Sequence, residues 1–340
     1  MSSHTPCTLL AIESSCDETS AAILADGKIL SNIIAGQEVH RKYGGVVPEL
    51  ASRAHQQNIV PVVQQALSQA NIDKNALQAV AYTQGPGLLG SLLVGCAFAK
   101  SLAMAWKIPL IGVDHMHAHV LAHFIEAPTP SFPFLCLTVS GGHTQIVLVE
   151  DPLHMKVIGQ TQDDAVGEAF DKSAKMLGLP YPGGPLIDRY AQQGNPLAYS
   201  FGKTQVPLLD FSFSGIKTGI LYFLRDRAKE DADFISRHLA DLCASIQHQL
   251  IQMLAEKVTR AAEQTGIRHI AIAGGVAANS GLRKKMQELA LEKEWKVFIP
   301  KMDYCTDNAA MIAMAAYYKF QAGIFEPLDS VPNPRMNSFL

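Results

Sequence analysis

The chain has 340 residues, of which 48% are hydrophobic and 17% are charged, and its formal net charge is −3. This composition is typical of a packed globular protein and excludes a disordered chain. A net negative charge gives no indication of nucleic-acid binding by charge alone. The length predicts two domains or two lobes.

Three features predict the compartment. The six cysteines are scattered without a CxxC pair, which favours reduced thiols in the cytoplasm. The N-terminus lacks a basic start and reaches Glu13 early, so we expect no signal peptide. The longest apolar run, at 90–106, carries Lys100 near its middle. It predicts a buried helix and no membrane span.

The first 127 residues alternate between strand-like and helical patterns, which predicts an α/β architecture. They begin with "TLLAIESSCDETSAAIL", two strands joined by a polar turn at 14–18. After these come a strand, a long amphipathic helix kinked at Pro61, a strand, a glycine loop, the apolar helix, a strand and a histidine-rich helix. Their sequences are "KILSNIIAG", "PELASRAHQQNIVPVVQQALSQA", "LQAVAYTQ", "GPGLLG", 90–106, "PLIGVD" and "HMHAHVLAHF".

The same order begins again with "PFLCLTVSGGHTQIVLVE", in which Ser140 aligns with Ser15 and Thr144 with Thr19. Each half reads β-β-β-α-β-α-β-α, an internal repeat of domain size. We predict an N-terminal lobe at 1–127 and a C-terminal lobe at 128–340, with an insertion at about 178–235. The last helix can pack back on the first lobe.

This duplication resembles the plan of the actin, Hsp70 and sugar-kinase superfamily, in which two hairpin turns face a nucleotide cleft. The turns "SSCDET" at 14–19 and "VSGGHT" at 139–144 are rich in Ser, Thr and Gly. Such turns leave backbone N–H groups free for phosphate oxygens. Plain hairpins are the alternative. Their equivalent places in the repeat favour phosphate binding.

Other polar positions of the second half are candidates for binding a nucleotide. In "AGGVAAN" at 273–279, Asn279 either hydrogen-bonds a base or ribose or caps the next helix. Asp171 either accepts ribose hydroxyls or is a solvated helix charge. Asp188 ends a constrained loop in "YPGGPLID", and "DFSFSGIKT" is a packed turn or a lid.

Residues 113–124 hold four of the twelve histidines. His115 and His119 are four residues apart, so on a helix they project from one face and can share a cation. A histidine-rich surface helix is the alternative. Asp303 and Asp307 precede the last helix, where each is a first-turn acid, an N-cap, or a third ligand from the opposite lobe. A His-His-Asp set suits iron, zinc or manganese.

Ten motifs resemble the bacterial tRNA threonylcarbamoyladenosine transferases of the TsaD type, in that family's order, from about residue 8 to residue 325. They are "IESSCDET", "YGGVVPELASRAH", "QGPGLLGSLLVG", "HMHAH", "VSGGHTQ", "GEAFDK", "YPGGP", "FSFSGIKT", "AGGVAAN" and "CTDNAAMIA". One departure is visible, because His117 stands where the family usually has Glu. It leaves the ligand pair intact and changes the groups around it.

The resemblance implies an actin-like ATPase fold and a transfer reaction. The threonylcarbamoyl group of threonylcarbamoyl-AMP would pass to the N6 amine of the adenosine 3′ of the anticodon, in tRNAs reading codons that begin with A. The implied partners are tRNA, a paralogous actin-like subunit of the TsaB type and a small P-loop ATPase of the TsaE type.

The resemblance also implies roles for particular residues. His115, His119 and Asp307 match the metal ligands, with iron expected first and zinc second. The positions that hold the adenylate are matched by Thr138, Val139, Ser140, Gly141, Gly142, Asp171, Gly184, Asp188 and Asn279. For the proton of the amine we expect Asp17 or Glu18 to be the base.

Three other functions compete with this interpretation. A kinase of the same fold would phosphorylate an acceptor, and a nucleotide-regulated scaffold would catalyse nothing. A metallopeptidase is disfavoured, because Met116 and Val120 follow the paired histidines where the HExxH motif requires Glu.

Overall fold

The computed structural model describes residues 6–37, 40, 43–202 and 206–337, and its elements alternate as the sequence predicts. The strands are β1 (Thr8–Glu13), β2 (Thr19–Ala25), β3 (Lys28–Ala35), β4 (Ala79–Gly85), β5 (Leu110–Asp114), β6 (Phe134–Val139), β7 (Thr144–Val149), β8 (Met155–Gln160), β9 (His269–Ala273) and β10 (Lys296–Phe298). The helices are α1 (Pro48–Ala70), α2 (Leu89–Trp106), α3 (His115–Leu121), α4 (Val166–Met176), α5 (Gly184–Ala191), α6 (Ser214–Glu230), α7 (Phe234–Arg237), α8 (Leu239–Thr265), α9 (Ser280–Glu292) and α10 (Ala309–Gln321).

The chain forms two compact units. Unit 1 comprises 1–129, 151–155 and 300–340, and unit 2 comprises 130–150 and 156–299. The last helix, α10, therefore belongs to unit 1, although it closes the repeat of the second half. The lobe boundary at 127/128 and the insertion at about 178–235 stay predictions.

Each unit is built on a five-stranded mixed sheet. In unit 1 the strand order is β3-β2-β1-β4-β5, with β1 antiparallel to β2 and parallel to β4. The second sheet has the corresponding order β8-β7-β6-β9-β10, with β6 antiparallel to β7 and parallel to β9. The two orders match strand for strand, so the predicted duplicated α/β fold is confirmed.

Both faces of the unit 1 sheet are covered. Leu10 and Ile12 of β1 share a core with apolar residues of α1 and α2. Their neighbours Leu9 and Ala11 are also fully buried, and α10 packs against all five strands. A strand that is buried on both faces loses the alternation of polar and apolar residues. This explains why β1 reads as a continuous apolar run.

Helix α2 is the one helix of the described chain whose length and hydropathy would suffice to cross a membrane. It packs against α1 and β4, as a core helix does. The prediction of a buried helix holds for one face only, because Leu89, Leu93 and Met104 are exposed.

Candidate metal centre and nucleotide-binding residues

The carboxyl ends of the parallel strands β1, β4 and β5 bring together groups that are distant in the sequence. Glu13 is the last residue of β1, and His115 follows β5 directly as the first residue of α3. Asp114 begins this helix, because its carboxylate accepts the backbone N–H groups of Met116 and His117 at 2.8 and 3.0 Å. Such an N-cap fixes where the helix starts and hence where His115 lies.

The imidazole of His115 is held on one side by unit 1 side chains. Its Nδ1 atom lies 3.1 Å from Oε2 of Glu13 and 3.2 Å from Oγ of Ser15. Glu13 is itself fully buried, and its Oε2 also accepts the hydroxyl of Thr83 at 2.6 Å. Because a carboxylate only accepts, Nδ1 carries a proton, and with a cation bound on the other side Nε2 would present its lone pair there.

That other side faces Asp307. Oδ1 of Asp307 lies 3.3 Å from Nε2 of His115 and 3.2 Å from Nε2 of His119. The two imidazole rings meet edge to face, with centroids 4.7 Å apart. One carboxylate oxygen of the half-buried Asp307 therefore faces nitrogens of two buried imidazoles.

The start of α10 holds Asp307 in place. Asn308 is the N-cap of this helix and accepts the N–H of Met311 at 3.0 Å. The next two amides, of residues 309 and 310, donate to Ser20 of β2 and Asn32 of β3 at 2.9 and 3.2 Å. The sheet thus satisfies helix-end amides that would otherwise lack partners.

Charge and burial oppose one another in this group. Burial alone would lower the pKa of His115, but the carboxylates of Asp307 and Glu13 raise it well above its usual value. Burial would raise the pKa of Asp307, and the charge of His115 and hydrogen bonds from both histidines instead hold it far below its usual range. The pKa of Glu13 is lowered for the same reason, since the charge of His115 outweighs burial. The bare group is a buried imidazolium between two carboxylates.

These three side chains fit a divalent metal. The ligand atoms of His115, His119 and Asp307 all lie within 4.8 Å of one another. Ligands that are 2.0–2.1 Å from a tetrahedral metal are separated by about 3.3 Å, close to the nitrogen–oxygen separations observed here. Glu13 would play the part of the carboxylate that orients a ligand histidine. By contrast, among the described residues the buried Nδ1 of His119 has no hydrogen-bond partner.

The first hairpin turn, 14–18, lies beside this group. The carbonyl of Ser15 accepts the N–H of Leu88 at 2.7 Å, and the carbonyl of Cys16 accepts Nε2 of His55 at 2.9 Å and the hydroxyl of Ser91 at 3.1 Å. His55 is fully buried, and its Nδ1 lies 2.8 Å from the hydroxyl of Thr19. The backbone of the turn is thus anchored by a side chain of α1 and by backbone and side-chain groups at the start of α2.

The turn carries Asp17 and Glu18, the two acids predicted to act as a base. Both are half-buried. Burial, with the charges of Asp307 and Asp17, raises the pKa of Glu18 to about 9. Glu18 is therefore protonated at neutral pH, which disfavours it as a base and leaves Asp17 as the better candidate.

The second hairpin turn, in unit 2, follows β6, where Thr138 and Val139 are buried. Ser140 closes it by donating its N–H to the carbonyl of His143 at 2.8 Å and accepting the N–H of that residue on its hydroxyl at 3.0 Å. Gly141 and Gly142 are exposed, and a Cβ on either would meet nothing within 4 Å. Within the described chain their N–H groups have no hydrogen-bond partner. They are therefore available to an anion.

Two other glycines support this turn. A Cβ at Gly167 would lie 2.5 Å from the carbonyl oxygen of Ser140. Gly274 has φ +90°, and a Cβ there would lie 2.4 Å from the carbonyl oxygen of Val139. Close approach of the backbone requires glycine at both positions.

Asp171 lies on α4 and faces the loop before α5. Its Oδ1 accepts the N–H groups of Gly183 and Gly184 at 2.8 and 3.0 Å. It is not a solvated surface charge, and burial raises its pKa. Oδ1 is therefore used to hold the glycine loop, and Oδ2 is the oxygen that could accept from a ligand.

The start of α9 contacts two of the predicted residues, Asn279 and Asp188, and Asp188 lies in α5 and not in a loop. Asp188 accepts the N–H and hydroxyl of Ser280 at 2.9 and 2.6 Å. Asn279 caps the helix by accepting the N–H of Leu282 at 3.0 Å, and its amide donates to Gln247 at 2.7 Å. The capping alternative for Asn279 is thus what its side chain does here.

Several expectations about the histidine helix are corrected. Helix α3 is mostly buried, so it is not a surface helix. His123 is buried and lies in a short 3-10 turn after α3, outside the helix that carries His115 and His119. Asp303 lies outside the ligand group. Asp307 belongs to the same unit as the histidines, not to an opposite one, and the N-cap of α10 is Asn308.

Sequence reasoning missed Glu13, Thr83 and His55. A carboxylate at the end of an otherwise apolar strand was the available signal for Glu13, because buried acids are rare without partners.

Solved structures with low sequence identity share this fold. Full-length HypF in its phosphate- and nucleotide-bound form has a TM-score of 0.62 at 13% identity, over 96% of this chain and 49% of that one. Component A of the (R)-2-hydroxyglutaryl-CoA dehydratase of Acidaminococcus fermentans has a TM-score of 0.53 at 16% identity, over 93% and 99% of the two chains. At such identities the likeness concerns the fold alone.

Sequence relatives are far closer. The chain is 61% identical to the tRNA N6-adenosine threonylcarbamoyltransferase of Cytophaga hutchinsonii, over 97% of this chain and 96% of that protein. It is 62% identical to the enzyme of the same name from Christiangramia forsetii, over 92% and 93%. The family model of TsaD, tRNA N6-adenosine threonylcarbamoyltransferase, matches residues 28–314. With the histidine–aspartate group in place, the chain belongs to the TsaD family of tRNA N6-adenosine threonylcarbamoyltransferases.

Proposed function

We propose that this transferase moves the threonylcarbamoyl group of threonylcarbamoyl-AMP to the N6 amine of the adenosine 3′ of the anticodon, and releases AMP. The acceptors are tRNAs that read codons beginning with A. The observation that carries the proposal is the group formed by His115, His119 and Asp307, in a chain with 61% identity to a transferase of this family.

The chemistry explains why an adenylate donor is needed. The lone pair of an exocyclic adenine amine is delocalised into the ring, so this amine is a poor nucleophile. A mixed anhydride with AMP provides an activated acyl group and a good leaving group. The exposed N–H groups of Gly141 and Gly142 would hold the phosphate, and Oδ2 of Asp171 would accept from the ribose.

His115, His119 and Asp307 would hold one divalent metal, for which we propose iron first and zinc second. Two imidazoles and a carboxylate suit either ion. When bound, the metal supplies a Lewis acid that stabilises the negative charge developing on an acyl or phosphoryl oxygen. Glu13, which accepts from Nδ1, would keep the bound His115 in the tautomer that presents Nε2 to the metal.

The amine must lose a proton as it attacks, and we assign this proton to Asp17. Both acids of the turn are half-buried, but a pKa of about 9 keeps the proton on Glu18. Asp17 is the other acid of this turn and is therefore the base that we propose.

The activity requires partners in this proposal. With a net charge of −3 the chain is not suited to bind tRNA tightly alone. We infer that a paralogous actin-like subunit of the TsaB type and a small P-loop ATPase of the TsaE type complete the enzyme. A tRNA substrate implies the cytoplasm, and all six cysteines are free thiols.

Mass spectrometry of tRNA nucleosides tests the proposal. Depletion of the protein should remove threonylcarbamoyladenosine from tRNA, and the wild-type gene should restore it. Unchanged modification after depletion would point to the kinase or the scaffold, which find no support among the relatives above.

In reconstitution from threonylcarbamoyl-AMP, we expect the chain alone to turn over poorly and the partners to raise its rate. Full modification by the isolated chain would contradict the need for partners.

A further inference from the structure

The segment 330–336, here the C-terminal strap, lies across the carboxyl end of β4 in unit 1. The N–H of Asn333 donates to the carbonyl of Gln84 at 2.8 Å, and the carbonyl of Pro334 accepts the N–H of Gly87 at 3.2 Å. The strap is further held at Ser330, whose hydroxyl lies 3.1 Å from that of Tyr82 and whose carbonyl accepts Nζ of Lys100. The strap is therefore bonded to the Gly85–Leu88 loop and to α2.

The same loop also contacts the first hairpin turn, which lies beside the metal centre. Leu88 donates its N–H to the carbonyl of Ser15 at 2.7 Å, and a Cβ on Gly87 would lie 2.5 Å from the same carbonyl oxygen. The hydroxyl of Ser15 lies 3.2 Å from Nδ1 of His115. The Gly85–Leu88 loop is thus packed between the strap and the turn that holds His115.

We propose that the C-terminal strap is a positioning element for the metal centre. The strap holds the Gly85–Leu88 loop in place, and this loop in turn holds the backbone of Ser15. The position of Ser15 then sets where its own hydroxyl and the carboxylate of Glu13 lie relative to Nδ1 of His115. Partners that orient a ligand histidine contribute to metal affinity, although they do not touch the metal. The inference rests on the metal site proposed above.

Gly85 offers a way to displace the strap in the full chain. A Cβ there would lie 1.9 Å from the carbonyl oxygen of Asn333 and 3.2 Å from Cβ of Met336. Gly85→Ala must therefore push the strap away from the loop. Gly36→Ala is the matched control, because a Cβ at this exposed position meets nothing within 4 Å. A chain ending after Asp329 removes the strap altogether.

The experiment measures Zn²⁺ or Co²⁺ affinity by competition with a chromophoric chelator, and amide hydrogen exchange at Leu88 and Asn333. We expect Gly85→Ala and the truncated chain to weaken metal binding about tenfold, the low end for outer-shell changes. The amide of Leu88 should exchange faster in both, while Gly36→Ala matches the wild type.

Two results would overturn the proposal. In the truncated chain, wild-type affinity and wild-type exchange at Leu88 would show that the strap only packs on the surface. If the truncated chain does not fold, Gly85→Ala decides instead. Faster exchange at Asn333 would show that the strap is displaced, and wild-type metal affinity with wild-type exchange at Leu88 would then show that the strap only packs on the surface. A wild-type chain that binds no metal would instead contradict the proposed function, and the exchange at Leu88 would still test the strap.

Discussion

Oε2 of Glu13 lies 3.1 Å from Nδ1 of His115, and Glu13 is fully buried. The two residues are separated by 102 positions in the sequence, and the adjacent carboxyl ends of β1, β4 and β5 bring them together. The other oxygen of Glu13 accepts the N–H of Ser15, and Thr83 donates to Oε2. In each of its contacts with the described residues this carboxylate accepts, so an amide cannot replace it.

Glu13→Gln should weaken metal binding by about 10–100-fold. In either orientation the new NH2 group faces a donor, namely the N–H of Ser15 or Nδ1–H of His115. A chelator competition assay measures the dissociation constant. Glu49→Gln, at an exposed acid paired with Arg53, is the control and should change nothing. Equal affinities for both variants would show that Glu13 does not orient His115.

Alanine replacements separate ligands from neighbours in the histidine helix. His115→Ala, His119→Ala and Asp307→Ala should each remove bound metal and most transfer activity, because a cation shared by three groups loses a ligand. His117→Ala and His123→Ala should keep the metal. His123 is buried, so its replacement should still lower the free energy of unfolding by about 1–3 kcal/mol. Elemental analysis and thermal unfolding of the five variants measure both effects, and metal loss in His123→Ala would contradict the assignment.

His55 should make the metal-free protein sensitive to acid. Burial lowers its pKa, so the folded protein binds the proton less readily than the unfolded chain. The stability that neutral His55 contributes is complete above the unfolded pKa of about 6.5 and is lost as the pH falls from there toward the lowered folded value. The loss is at most about 1.4 kcal/mol per pH unit.

His55→Gln tests this, because glutamine can accept from Thr19 and donate to Cys16 but does not titrate. Urea unfolding at pH 7.5 and 5.5, with chelator present, should show a smaller loss of stability for the variant. Identical losses in both proteins would mean that His55 does not titrate in this range.

Two glycines of the second turn should respond differently to substitution. Gly142→Val should abolish AMP binding and leave the melting temperature unchanged, because its side chain would enter open space that the phosphate is proposed to occupy. Gly167→Ala should instead destabilise the fold by about 1–3 kcal/mol, since its Cβ would lie 2.5 Å from the carbonyl oxygen of Ser140. Calorimetry with AMP and thermal unfolding distinguish them. Unchanged AMP affinity in Gly142→Val would count against the phosphate loop.

The sequence by itself determined the structural features that depend on residues close to one another along the chain. The periods of apolar residues predicted both hairpins and the order of strands and helices, because side chains alternate on strands and recur every third or fourth residue on helices. The i, i+4 spacing placed His115 and His119 on one helix face. The repeat predicted two sheets of the same order, and the ordered motifs predicted the family.

Apart from the family resemblance, only the tertiary structure decided which of the distant polar groups meet. Asp307 lies 188 positions from His119, and its place beside the histidines depends on Ser20 and Asn32, which cap α10 from the sheet. The sequence around Asn279 is equally compatible with a side chain that faces a ligand and with one that caps a helix. The raised pKa of Glu18 was likewise beyond the sequence, because the pKa of a carboxylate depends on the solvent and charges around it in three dimensions.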